Sequence, residues 1–183
     1  MLSRKIILSA VVAAFAMAPS IASAATNLIT NGDFSAGNSG FTTQYNYVAP
    51  APNVMWPEGN VTIAANPFSV HNLWGNVTLA ATPCSGHGYW VNVAGSNPML
   101  IANGATAGNL TIWQESAINV VSGGKYNFAA DVMNVCCNQS FTGSNSPSSI
   151  IFQISTDNGF SWSDLVSHTT TPPGDAGVLT SLS

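Results

Sequence analysis

The feature that most constrains the fold is the frequent interruption of the chain by Gly, Asn, Ser, Thr and Pro. With 16 Gly and 10 Pro in 183 residues, no segment beyond Ala25 keeps the apolar period of an α-helix. Several of the short segments between the interruptions alternate apolar and polar side chains, which is typical of half-buried strands. The pattern therefore predicts an all-β domain of short antiparallel strands, built as a sandwich or a barrel.

Two hairpins are predicted from this alternation. In the first, Leu110–Val121 is joined to Lys125–Val135 by the turn Ser122-Gly123-Gly124. In the second, Ile150–Ser155 is joined to Phe160–Val166. Because apolar residues recur at every second position, each pair is expected to hydrogen-bond across its turn.

The turn of the second hairpin matches the Asp-box pattern S-x-D-x-G-x-[ST]-W over residues 155–162. We expect Asp157 to bond the turn backbone, Gly159 to supply a permissive dihedral angle, and Trp162 to pack beneath the hairpin. Sialidase propellers carry this motif on successive blades. A single copy cannot build a propeller, so we interpret it as a stable turn.

The N-terminus has the three parts of a secretory signal peptide. Arg4 and Lys5 precede the apolar run Ile6–Ala18, Pro19 follows, and Ala22-Ser23-Ala24 is a small-residue cleavage site. We therefore expect residues 1–24 to be removed and the rest to be secreted or held at the cell surface. An uncleaved membrane anchor is the alternative, although the apolar run is shorter than the roughly 20 residues of a spanning helix.

Charge is sparse in the exported part. Of the three basic residues, only Lys125 lies beyond the signal peptide, against seven acidic residues. A nucleic-acid partner requires a basic surface, so that class is excluded, and an anionic membrane surface is disfavoured for the same reason. No second apolar stretch is long enough to span a membrane. Neutral glycans or matrix polymers, held by stacking and hydrogen bonds, are the expected partners.

The chain has three cysteines, Cys84, Cys136 and Cys137. Disulfide bonds form in the oxidising compartments to which exported proteins are delivered. Adjacent cysteines form a strained bridge, so we expect Cys84 to pair with Cys136 or Cys137, and we name Cys136 as its partner. A zinc site using Cys84 and His87 is the alternative, but C-x-x-C spacing is absent.

Aromatic side chains are the candidate ligand-binding groups. A flat ring stacks on the C–H face of a sugar, while nearby amides bond its hydroxyl groups. The candidate set is Trp56, Trp74, Trp90, Tyr45, His71 and Asn72. For any one tryptophan, packing in the core is the alternative role, and Trp113 and Trp162 are interpreted as packing residues of the hairpins.

No catalytic constellation is visible. Glu58 and Glu115 are the two glutamates, and nothing in the sequence brings two carboxylates to the separation that glycoside hydrolysis needs. A G-x-S-x-G nucleophile motif is also absent. We therefore predict no catalytic residues and a non-catalytic protein, with a glycoside hydrolase as the least favoured alternative.

The segment Asn27–Gly37, N-L-I-T-N-G-D-F-S-A-G, followed by Gly40-Phe41, resembles the start of galactose-binding-like jelly-roll domains and of family 4/9 carbohydrate-binding modules. Further segments resemble exported bacterial proteins of the PEP-CTERM group. They are Trp56-Pro57-Glu58-Gly59, Asn66-Pro67, Val70–Trp74, Asn103-Gly104, Ile112-Trp113-Gln114 and the strand at 126–135. The resemblance implies a jelly-roll β-sandwich and a structural calcium ion beside the first strand, with Asp33 as the matching acid; capping of the Asn31-Gly32 turn is the alternative role of Asp33.

Two departures from those families bear on the domain boundaries. The closing strand of such domains and the PEP-CTERM sorting tail have no counterpart before Ser183. We therefore expect a β-sandwich over residues 25–168 and an irregular tail over 169–183, left from a truncated domain with an unpaired sheet edge. A structural protein of the envelope or biofilm matrix, without a small ligand, is the alternative function.

Overall fold

A computed structural model describes residues 26–71, 90–93, 95–136, 148–171 and 175–183. This part of the chain is all-β, as predicted, with a single turn of helix. The strands are β1 (Asn46–Tyr47), β2 (Asn60–Ala64), β3 (Met99–Ala102), β4 (Ala130–Met133), β5 (Ser149–Ile154), β6 (Ser163–Thr169) and β7 (Leu179–Leu182), and the helix is α1 (Pro67–Val70). Within these ranges no helix has the length and apolar character that crossing a membrane requires.

The central sheet has the strand order β1-β2-β3, with β1 parallel and β3 antiparallel to β2. The first four residues of β2 are buried, including the polar residues Asn60 and Thr62. Both polar side chains find partners. Asn60 Nδ2 donates to the carbonyl oxygen of Val54 at 2.9 Å, and Thr62 Oγ1 donates to that of Val48 at 2.7 Å. Burial of β2 is therefore compatible with its polar content.

The core lies between β2–β3 and α1. Met55, Val70, Trp90 and Ile101 form its buried cluster. The helix begins where Asn66 accepts a hydrogen bond from the Phe68 N–H at 3.1 Å, with a proline at the start of the helix. The Asn66 side chain thus bonds a backbone N–H that has no partner within the helix. Proline suits the first helical position because an N–H at that position would have no partner within the helix. The short helix positions Val70 in the core.

The first predicted hairpin is wrong in its pairing. The turn itself forms, because Gly124 N–H donates to the Val121 carbonyl oxygen at 2.9 Å. The flanking segments nevertheless pair elsewhere. Gln114 forms an isolated antiparallel bridge with Thr42, and β4 pairs with β7. Alternation predicts which residues are extended, but it does not identify the strand that pairs with them.

The second predicted hairpin is confirmed. β5 and β6 pair antiparallel from Ser149 opposite Thr169 to Ile154 opposite Ser163. The ladder shifts register after Phe152, because Val166 and Asp164 have partners in β5 and Leu165 between them has none. This is a β-bulge in β6. On one face of the hairpin, the Phe152 ring lies 5.0 Å from that of Phe128.

Three local expectations differ from the structure. The C-terminal segment, expected to be irregular from residue 169, contains β7 and pairs with β4 through Leu179 to Leu182. The segment Asn27–Thr30, which its residue pattern predicts to be an early strand, has no strand in it. β3 was not predicted, because its four residues are all apolar and lack the alternation on which strand assignment relied.

Candidate functional site

Trp56 is the candidate ligand-binding residue that the structure leaves at the surface, where 44% of its area is exposed. The backbone on either side is held by hydrogen bonds to Asn103. Met55 is fully buried, and its carbonyl oxygen accepts a hydrogen bond from Asn103 Nδ2 at 2.7 Å. Gly59 N–H donates to the Asn103 carbonyl oxygen at 2.9 Å. The Trp56 ring therefore stands on a loop anchored at both ends.

Tyr45 borders the same region and is half-buried. Its hydroxyl oxygen accepts a hydrogen bond from the Ala105 N–H at 3.3 Å. A Cβ placed on Gly59 would lie 3.9 Å from the Ala105 Cβ, so the loop that carries Trp56 and the loop at 103–105 are in contact. Tyr45, the Trp56 loop and residues 103–105 therefore form one hydrogen-bonded region, in which Trp56 and Gly104 are exposed.

Trp90 and His71 are corrections to the predicted site, since each is only 4% exposed. Their rings are 4.4 Å apart between centroids and tilted by 40°. Trp90 belongs to the core cluster with Met55, Val70 and Ile101. Buried rings present no face on which a surface polymer can stack, so core packing, the alternative role, describes both residues.

Three predicted residues, Asn72, Trp74 and Cys84, lie outside the described residues. Cys136 is disulfide-bonded. Its backbone N–H donates to Asn134 Oδ1 at 3.1 Å, next to β4. The pairing of Cys136 with Cys84 stays a prediction.

Asp33, the predicted calcium ligand, lies in a turn that it stabilises itself. Its Oδ1 accepts hydrogen bonds from the Ser35 N–H at 3.1 Å and from the Ser35 hydroxyl at 2.8 Å. These bonds favour the charged carboxylate, so the pKa of Asp33 is lowered. Among the described residues no group of three or more His, Cys, Asp and Glu side chains is arranged to hold a metal ion.

A shallow cleft of about 420 Å³ lies elsewhere on the surface and was missed by sequence reasoning. Its walls include Phe41, Gln114 and Glu115. Both carboxylate oxygens of Glu115 accept from the Thr30 N–H, at 3.1 and 3.0 Å. The cleft is within the size range of small-ligand sites, and it combines an aromatic ring with an amide and a carboxylate. Four of its lining residues belong to segments that carry the family resemblance, and this was the available sequence signal: Thr30, Gly40, Phe41 and Gln114.

The Asp-box turn forms as predicted between β5 and β6. Asp157 Oδ1 accepts from the Ser161 N–H at 2.9 Å and from the Ser155 hydroxyl at 2.8 Å, while Oδ2 accepts from the Ser161 hydroxyl. The Ser161 and Ser155 bonds lower the pKa of Asp157 from 3.8 to about 2. Gly159 has φ of 86°, a left-handed angle that glycine adopts without strain.

The aromatic residues of this turn are more exposed than expected. A Cβ on Gly159 would lie 3.7 Å from the Trp162 ring, so the ring does contact the turn. Even so, 43% of Trp162 is exposed, and Phe160 is 91% exposed. Trp162 is thus a second surface tryptophan as well as a packing residue.

Comparison with known proteins adds no assignment: no protein-family model, no curated protein and no solved structure matches the chain.

Proposed function

We propose that this chain is an exported, non-catalytic β-domain that binds a neutral polysaccharide or another extracellular matrix polymer. The observation that carries the proposal is the anchored Trp56 ring, 44% exposed on a loop held by Met55 and Asn103. A loop that is already fixed loses little conformational entropy when a sugar stacks on the ring it carries. Hydrogen bonds of Asn103 join the loop at 103–105 to the loop that carries Trp56, and the Ala105 N–H in turn bonds the Tyr45 hydroxyl.

Charge supports a neutral partner. Seven acidic residues face one basic residue outside the signal peptide, so polyanions are repelled and nothing favours ion pairing. The cleft at Phe41 and Gln114 also suits a saccharide. Of the described residues that line it, Glu115 alone carries a carboxyl group. Glycoside hydrolysis normally uses two carboxylates, which is why we propose binding rather than catalysis.

The geometry of the opening motif supports the proposal of a galactose-binding-like jelly roll. Asn31 Nδ2 donates to the carbonyl oxygens of Gly37 and Ser39, each at 2.8 Å, and Asn31 Oδ1 accepts from the Ala36 N–H at 2.8 Å. One asparagine thus closes the whole N-G-D-F-S-A-G turn. Asn31 itself has φ of 54°, a conformation that asparagine tolerates better than most residues. The family resemblance rests on these same residues.

Affinity electrophoresis in gels containing neutral polysaccharides tests the binding proposal. We expect at least one polysaccharide to retard the mature protein, and Trp56→Ala to weaken retardation by about tenfold, which corresponds to roughly 1.4 kcal/mol. Phe160→Ala is the matched control, because that ring is exposed at the far end of the β5–β6 hairpin. Gln114→Ala reports on the cleft. Absence of retardation on every polysaccharide, or equal retardation of Trp56→Ala and wild type, would refute the proposal.

A structural calcium ion near Asp33 is a separate proposal from the family resemblance. Thermal unfolding of the mature protein in calcium and in EGTA tests it. If Asp33 binds calcium, the ion raises the melting temperature of wild type and does not raise that of Asp33→Ala. If Asp33 only closes its turn with Ser35, the substitution lowers the melting temperature equally in both buffers.

Export itself is tested by determining the N-terminus of the secreted protein. We expect processing after Ala24 and recovery of the protein outside the cytoplasm. Retention of the first 24 residues in a membrane fraction would favour the uncleaved anchor.

A structural protein of the envelope or biofilm matrix is the second candidate function. The observation that favours it is the uncharged strand β5, whose side chains include the half-exposed Ile151 and Ile154. Such a strand suits assembly into a matrix better than it suits recognition of a soluble sugar.

A further inference from the structure

We propose that β5 is a self-association strand, whose outer edge pairs with β5 of a second copy of this chain. The β5 edge is the side of Ser149–Ile154 that faces away from β6. Within the described ranges β5 pairs with β6 alone. The backbone N–H and carbonyl groups along the other side are therefore a template for another strand.

The composition of β5 lacks the devices that normally protect a sheet edge. Its sequence S-I-I-F-Q-I contains no charge, no proline and no glycine. Uncharged six-residue segments of this kind, rich in β-branched and aromatic residues, are typical of strands that pair with copies of themselves. β6, by contrast, carries Asp164 and a bulge at Leu165, and both features discourage pairing along its edge.

The side chains of the hairpin also leave apolar area uncovered. Ile151 is 50% exposed, Ile154 49%, and Leu165 of the bulge 46%. An isolated two-stranded hairpin is marginally stable, whereas three or more strands with an apolar face are much more stable. Pairing through the β5 edge would convert two such hairpins into one four-stranded sheet with the order β6-β5-β5-β6.

The absence of charge on β5, together with a composition typical of strands that pair with copies of themselves, favours a second copy as the partner. The chain is acidic, so two copies that meet through carboxylate-bearing surfaces repel each other. β5 brings no charged group to the contact. Two identical strands related by a two-fold axis pair antiparallel, and each bonds the free backbone N–H and carbonyl groups of the other. The contact therefore closes as a dimer.

Sedimentation velocity of the mature protein over a range of concentrations tests the proposal. Wild type is expected to show a monomer–dimer equilibrium. Ile151→Lys is expected to raise the dissociation constant by at least about tenfold, because it places like charges on the paired strands. Val121→Lys is the matched control. It removes an apolar residue that is 75% exposed and adds the same charge outside β5, and it should dimerise like wild type.

Hydrogen exchange distinguishes pairing through β5 from association through another surface of the protein. The amides of residues 149–154 that do not bond to β6 should become more protected as the protein concentration rises. If these outward-facing amides are already fully protected in dilute monomer, the edge is covered within the chain and the proposal is overturned. A monomeric wild type, or equal association of Ile151→Lys and wild type, also overturns it. If Ile151→Lys loses the circular dichroism signal of the folded protein, Ile154→Lys takes its place in the same comparison.

Discussion

Replacing Trp90 with alanine tests the reassignment of this residue from a sugar-stacking platform to the core. Trp90 is 4% exposed, and its ring centroid lies 4.4 Å from that of His71. A buried tryptophan removes roughly 200 Å² from water, which at about 25 cal/mol per Å² corresponds to about 5 kcal/mol. This is an upper value, because the unfolded chain is itself partly compact. Tryptophan-to-alanine changes in protein cores cost about 3–5 kcal/mol.

We therefore expect Trp90→Ala to lower the free energy of unfolding by about 3–5 kcal/mol. At about 2–4 °C per kcal/mol, the melting temperature should fall by roughly 6–20 °C. The assay is thermal and urea unfolding followed by far-ultraviolet circular dichroism, which does not depend on the tryptophan that is removed. Phe160→Ala is the control. That ring is 91% exposed, so its loss should change stability by no more than about 0.5 kcal/mol.

Trp90→Phe keeps the variant measurable if the alanine form does not fold. It retains an aromatic ring against His71 and should be less destabilising than alanine, because it leaves a smaller cavity. The reasoning is refuted if Trp90→Ala melts within about 1 °C of Phe160→Ala, a difference too small for a core tryptophan. A Trp90→Ala protein of wild-type stability that no longer binds polysaccharide would restore the ligand-binding role.

Three other predictions concern the turn, the disulfide and the C-terminal strand. The folded-state pKa of Asp157, about 2, is below the ordinary value of 3.8, so its stabilising effect is complete above pH 3.8 and is lost as the pH falls through 2. The melting temperatures of wild type and Asp157→Asn should converge over that window, and a constant difference would contradict the assignment. Peptide mapping without reduction should recover Cys136 joined to Cys84, whereas a Cys136–Cys137 peptide would contradict the predicted pairing. Thr180→Pro should lower the melting temperature, because proline in β7 disrupts its pairing with β4, and an unchanged melting temperature would argue against that ladder.

Features that depend on neighbouring residues could be predicted from the sequence. Alternation and frequent turn residues predicted an all-β chain. The S-x-D-x-G-x-S-W motif predicted the β5–β6 turn, in which Asp157 bonds residues only two and four positions away. Such contacts form wherever the local backbone permits them, so a short stretch of sequence contains the information.

Strand pairing and the burial of individual rings depend on the tertiary structure. β4 is paired with β7, about 50 residues along the chain, and not with the adjacent alternating segment that the pattern suggested. Trp56 and Trp90 both fit the same aromatic criterion, yet Trp56 is exposed and Trp90 is buried against Ile101 and Val70. Pairing and burial depend on how distant segments meet, and a periodic pattern holds no information about the partner. For this reason the sequence identified candidate rings, and only the fold separated a surface ring from a core ring.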